Sequence, residues 1–112
     1  MSIEDLNNQR FSFVVGIAAE HASGEGFHSD IRWLSEAFNE YFLWHEEQVK
    51  EGLLLSFGET SSVSRNVCAG KIARAVRFSH GADEQQCRKL SASLGRIVSS
   101  DDFADYQHIC KK

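Results

Sequence analysis

The chain has 112 residues, of which 42% are hydrophobic and 25% charged, with a formal net charge of −4 at pH 7. That length suits a single domain, 1–112, able to bury roughly two-thirds of its unfolded surface without disulfide or metal staples. The acidic balance is far from the basic footprint of a nucleic-acid binder, and no run approaches the ~18 apolar residues of a membrane span.

Proline is absent. Because proline breaks helix interiors, its absence points to an all-α chain, a small bundle of four to five helices. Ser2 and Asp5 carry a capping-box pattern that starts a first helix running to about His21. Its middle, Phe11 to Ile17, also alternates well enough for a strand, but no second strand offers itself as a partner. The apolar run Phe11–Ala19 follows Glu4 and Asp5, whereas a signal peptide starts basic, so a cytoplasmic protein is expected.

A glycine-containing loop, 22–28, precedes a second helix capped by Ser29 or Asp30. Its apolar pattern runs from 30 to 55, about 26 residues and roughly 39 Å, making it the expected long central helix. Seven of the twelve aromatics lie between Phe27 and Phe57. Ile31, Leu34, Phe38, Phe42, Val49 and Leu53 form one stripe, expected to meet the third and fourth helices. Trp33, Ala37, Tyr41 and Trp44 form a second. Together they span about 200° of the helix, where a surface helix needs a little over 100°. The second stripe is the candidate partner interface, provided the first helix leaves it uncovered. Tryptophan and tyrosine suit that role because they bury large area at low entropy cost.

The third helix is expected from near Ser61 to near His80, with Gly81 as a left-handed cap. Lys71, Arg74 and Arg77 recur along one side as a secondary basic face. Asp83 and Gln86 open a fourth helix with the stripe Cys87, Leu90, Leu94, Ile97 and Val98. Ser99 and Asp102 suggest a short fifth helix carrying Phe103, Tyr106 and Cys110. Gly70 and Gly95 sit inside helices, which points to close packing.

Charge is uneven. Residues 1–60 hold 11 acids and 3 bases; residues 61–112 hold 5 acids and 9 bases. The two halves are expected to face each other within the fold or across an oligomer. The third and fourth helices also have helix-turn-helix order, so a DNA-binding regulator is the alternative. Against it, the fourth helix begins Asp83-Glu84, which repels phosphate at the end that would enter a groove.

No catalytic or metal motif stands out. His45-Glu46-Glu47 lacks the second histidine of H-E-x-x-H. Glu20-His21 and His28-Asp30 flank the glycine loop and could meet in space, which makes them the place where a metal would be looked for. Gly24-Glu25-Gly26 is too short and too acidic to cradle phosphate. Cys68, Cys87 and Cys110 match no zinc spacing, and their odd count suggests free thiols in a reducing compartment. Cys68 falls on the apolar side of its helix. A small-ligand or metal-binding bundle is a further alternative, but no cofactor is expected. The composite reading is a non-enzymatic regulatory protein, with a protein partner in place of nucleic acid or membrane, that forms a homodimer and masks a larger bacterial or phage target as an inhibitor or antiactivator.

Overall fold

The computed structural model describes residues 1–24 and 29–99 and contains four helices: α1 (Ile3–Ser23), α2 (Ile31–Lys50), α3 (Ser61–Ser79) and α4 (Glu84–Val98). Among the described residues there is no strand, so the alternating segment 11–17 is helical. The expected fifth helix lies outside the described residues beyond Ser99.

Local chemistry sets most of the ends. The Ser2 hydroxyl accepts from the Asp5 amide at 3.1 Å. Asp30 and Thr60 cap α2 and α3 in the same way. At α4 both halves of the capping box form, with Gln86 N–H donating to Asp83 at 2.8 Å and Asp83 N–H donating to Gln86 at 3.0 Å. Each such cap is worth about 1 kcal/mol. Gly81 has the expected positive φ, at 68°.

The second helix is shorter than its apolar pattern. It ends at Lys50 because Gly52 adopts φ 77°, and Leu53 and Gly52 donate back to Gln48 and Val49 at 2.8 and 3.0 Å. This closure needs a left-handed residue after the cap, which glycine supplies without steric cost. At 20 residues the helix is roughly 30 Å long. It therefore fits within a body of 39 × 29 × 26 Å. Leu53 falls outside it and is exposed; Ile31 and Val49 are half-buried.

The central element is α1, not α2. It packs against α2, α3 and α4, while α3 also packs on α4. Contact on several sides explains why its middle is apolar nearly all round, with Val14, Val15, Ile17 and Ala18 buried. The core joins these to Leu34, Phe38 and Phe42 of α2, Ile72 and Val76 of α3, and Leu90 and Leu94 of α4. Each large side chain so buried contributes roughly 1.5–3 kcal/mol. Ala69, Gly70 and Ala73 of α3 are buried too, and such small residues allow close helix approach. The two ion pairs between described residues, Arg32–Asp30 at 3.2 Å and Arg88–Glu84 at 2.6 Å, are both local. Neither joins the acidic half to the basic half. Arg65 of the basic half does reach across, its guanidinium donating to Asn39 at 2.8 Å and lying 5.3 and 5.0 Å from the Phe38 and Phe42 ring centres.

Candidate functional site

The Trp33/Ala37/Tyr41/Trp44 stripe is not one unclaimed surface. Helix α1 covers its middle. The Phe11 ring stacks on Tyr41 at 5.8 Å, and the Tyr41 hydroxyl donates to Asn7 Oδ1 at 2.7 Å. Burial raises the Tyr41 pKa above its ordinary value, with a further push from Cys68, so the phenol stays neutral. Ala37 is buried as well. Trp44 is half-buried, with the Arg10 guanidinium 4.7 Å above its ring. Trp33 alone stays open, at 47% exposure. The structural reason is that α1 must bury more than one face, and this stripe takes one of them.

Where α1 and α2 diverge they leave a groove of about 320 Å³. Val14, Ala37 and Tyr41 line it with Leu6, Phe13 and Glu40. Phe13 is 63% exposed although it belongs to a helix with a well-filled inner face. Glu36, Glu40 and Glu47 form the outer acidic side of α2, interrupted by the exposed Leu43. Two of the four sequence-selected residues, Ala37 and Tyr41, thus line a groove. Phe13 was masked in the sequence by the apolar run around it. The signal that finds it is the helical spacing of Leu6, Gln9 and Phe13 on one side of α1.

The basic face is thinner than its sequence period. Lys71 and Arg74 are exposed. Arg77 is half-buried and donates from Nη1 to the Ala82 carbonyl at 2.7 Å, bracing the turn between α3 and α4. That leaves two of the three cations facing outward, and Asp83, Glu84 and Arg88 line the hollow at the start of α4.

Among the described residues two histidines are buried. His21 Nδ1 lies 2.6 Å from the Ser29 carbonyl oxygen and Nε2 lies 2.7 Å from Ser93 Oγ. A carbonyl only accepts, so Nδ1 carries the proton and the Ser93 hydroxyl donates to Nε2. Desolvation lowers the His21 pKa; the Ser29 carbonyl opposes this, Lys89 adds to it and Asp30 opposes it. The serine–histidine distance suits a nucleophile and its base. Both side chains are buried, however, and the pair ties α1 to α4 and to the segment before α2. His28, the other histidine by the glycine loop, lies outside the described residues. Among the described residues no group of three or more His, Cys, Asp or Glu side chains comes together to hold a metal ion.

His45 is the second buried histidine. Its ring stacks on Phe57 at 4.1 Å and lies 5.9 Å from Tyr41. Desolvation lowers its pKa, partly offset by Glu46.

The cysteines correct the expectation of three free thiols. Cys87 is disulfide-bonded, and Cys68 is a free cysteine among the described residues. With Cys87 in a disulfide, the cysteines no longer point to a reducing compartment. Burial pushes the Cys68 thiol up to about 12, against weaker opposite pulls from Arg65 and Lys71, so it is a packing group and not a thiolate. No described helix is long and apolar enough to cross a membrane.

Comparison of the chain with protein-family models, curated proteins and solved structures gave no match.

Proposed function

We propose that this chain is a non-enzymatic interaction protein that binds another protein through the groove between α1 and α2. The observation that carries this is the juxtaposition of an exposed Phe13 with a preformed apolar floor of Val14, Ala37 and Tyr41. A monomer gains nothing by exposing a large aromatic beside such a floor, whereas a partner's apolar side chain entering the groove buries both. Glu40 and Arg10 both border the groove, and the exposed Glu36 and Glu47 elsewhere on α2 tip the surrounding charge toward a basic partner surface. An amphipathic helix with apolar anchors and flanking lysines or arginines meets both requirements. Masking a regulatory target, as an inhibitor or antiactivator does, is the finer form of this reading. Self-association through the same groove is its competitor.

Sedimentation of the wild type, Phe13→Ser and Glu40→Lys, together with affinity capture using the same three proteins as bait, tests the reading. Capture of a specific partner that Phe13→Ser and Glu40→Lys each lose, with helix content unchanged, is the expected result. A partner retained equally by both variants would place the interface elsewhere.

A further inference from the structure

A second feature, independent of the groove, lies at the other end of α2. A cavity of about 140 Å³ opens between the last turns of α2, the 51–60 segment and the start of α3. Its walls include the Phe42, Val49 and Phe57 side chains. His45 lines it as well and is only 3% exposed. Among the described residues neither ring nitrogen of His45 has a hydrogen-bond partner; the ring's contacts are the aromatic faces of Phe57 and Tyr41. His21, by contrast, is bonded at both nitrogens, whereas the His45 nitrogens are neither bonded nor sealed off and can take a hydrogen bond from a molecule in the cavity.

The rest of the polar lining is already engaged. The Ser64 hydroxyl donates to the Gly58 carbonyl at 3.1 Å, and Ser56 donates to the same oxygen at 2.6 Å. Gly58 itself is irreplaceable without movement, because a Cβ there would stand 2.5 Å from Val63 Cγ1 and 3.1 Å from the Ser64 amide. The wall formed by this segment is therefore built from internal bonds and close packing. Glu46 and Lys50 also border the cavity, and their opposite charges leave no net preference for an ion.

We propose that this cavity is a binding site for a small uncharged aromatic molecule bearing one hydroxyl group, a phenol-type ring, which stacks among Phe42, Phe57 and Val49 and hydrogen-bonds to His45. The size fits, since about 140 Å³ is of the order that holds one benzene-sized ring, here in a cavity open on one side to solvent. The chemistry fits as well. A neutral imidazole presents one acceptor nitrogen to a hydroxyl donor, and the desolvation of His45 keeps the ring neutral near pH 7.

Phenol itself is the probe, with benzene as the control that lacks the hydroxyl. In an NMR titration of the isotope-labelled chain, the His45 and Phe57 ring resonances move saturably with phenol in the millimolar range expected for about seven heavy atoms. Benzene binds about five-fold more weakly, the effect of one net hydrogen bond. His45→Phe keeps the stacking and makes the two ligands equal. Val49→Phe fills the cavity and abolishes both titrations, with circular dichroism checking that the helices persist. If Val49→Phe fails to fold, the His45→Phe comparison decides alone. Phenol shifts that do not saturate, that map away from His45 and Phe57, or that benzene matches in the wild type would each overturn the assignment.

Discussion

Removing the Ser93 hydroxyl isolates the side-chain bond between His21 of α1 and Ser93 of α4. Ser93→Ala deletes the donor 2.7 Å from His21 Nε2 and leaves a buried acceptor unmade. An unsatisfied buried group costs about 1–3 kcal/mol, while alanine in place of serine inside a helix returns roughly 0.5 kcal/mol. The expected net loss is about 1–2 kcal/mol. His21→Ala removes both imidazole bonds and leaves a cavity, for a loss of about 3–4 kcal/mol. A chain of this size is stable by roughly 6–17 kcal/mol, so both variants fold. In the double variant Ser93 no longer matters, and the total stays near that of His21→Ala alone. Urea unfolding followed by circular dichroism gives the four stabilities of the cycle. A coupling of about 1–2 kcal/mol supports the bond. Losses that add to within about 0.5 kcal/mol, the range for independent sites, would show that His21 and Ser93 do not interact and that the tie between α1 and α4 is packing alone.

The remaining expectations are simpler. His21 and His45 both have folded-state pKa values lowered below 6.5, so the unfolded chain binds protons that the folded chain refuses. Stability therefore rises with pH from the lowered folded values up to about 6.5 and is level above it, as far as these two groups contribute. A melting temperature that stays flat from pH 5 to 6.5 would contradict their neutral burial; His45→Phe should shallow the slope. Gly52→Ala meets no atom within 4 Å but must hold φ 77°, so it should cost about 1–2 kcal/mol by strain alone, read by thermal melting. Gly58→Ala, by contrast, should destabilise by a clash with Val63, at about 1–3 kcal/mol. Cys68, buried and with its thiol pushed up to about 12, should resist a thiol-modifying reagent at pH 8 until the chain is unfolded. Rapid labelling of Cys68 in the native state would show that α3 opens.

Trp44 illustrates how much of the site could be read in advance. Helical periodicity correctly puts it beside Tyr41, and the two rings lie 6.2 Å apart. Periodicity along α2 says nothing about Arg10, which lies over that ring from a helix whose conformation was itself ambiguous between strand and helix. Phe13 shows the converse. Its neighbours Val14 and Val15 are buried, and only the packing of α1 on three partners reveals that its own side is left outside.

The sequence by itself determined where helices begin and that the chain is helical. Caps such as Ser2, Asp30 and Asp83 act over three residues, and the absence of proline acts on every residue. The end of α2 was encoded too, in Gly52, although the apolar pattern running on to Leu55 obscured it. What only the tertiary structure decided is which helix sits at the centre and which apolar faces remain outside. Those depend on how stripes from different helices compete for one another. The same competition brings His21 to Ser93 across 72 positions of sequence and closes α1 over Tyr41, and no local pattern carries that information.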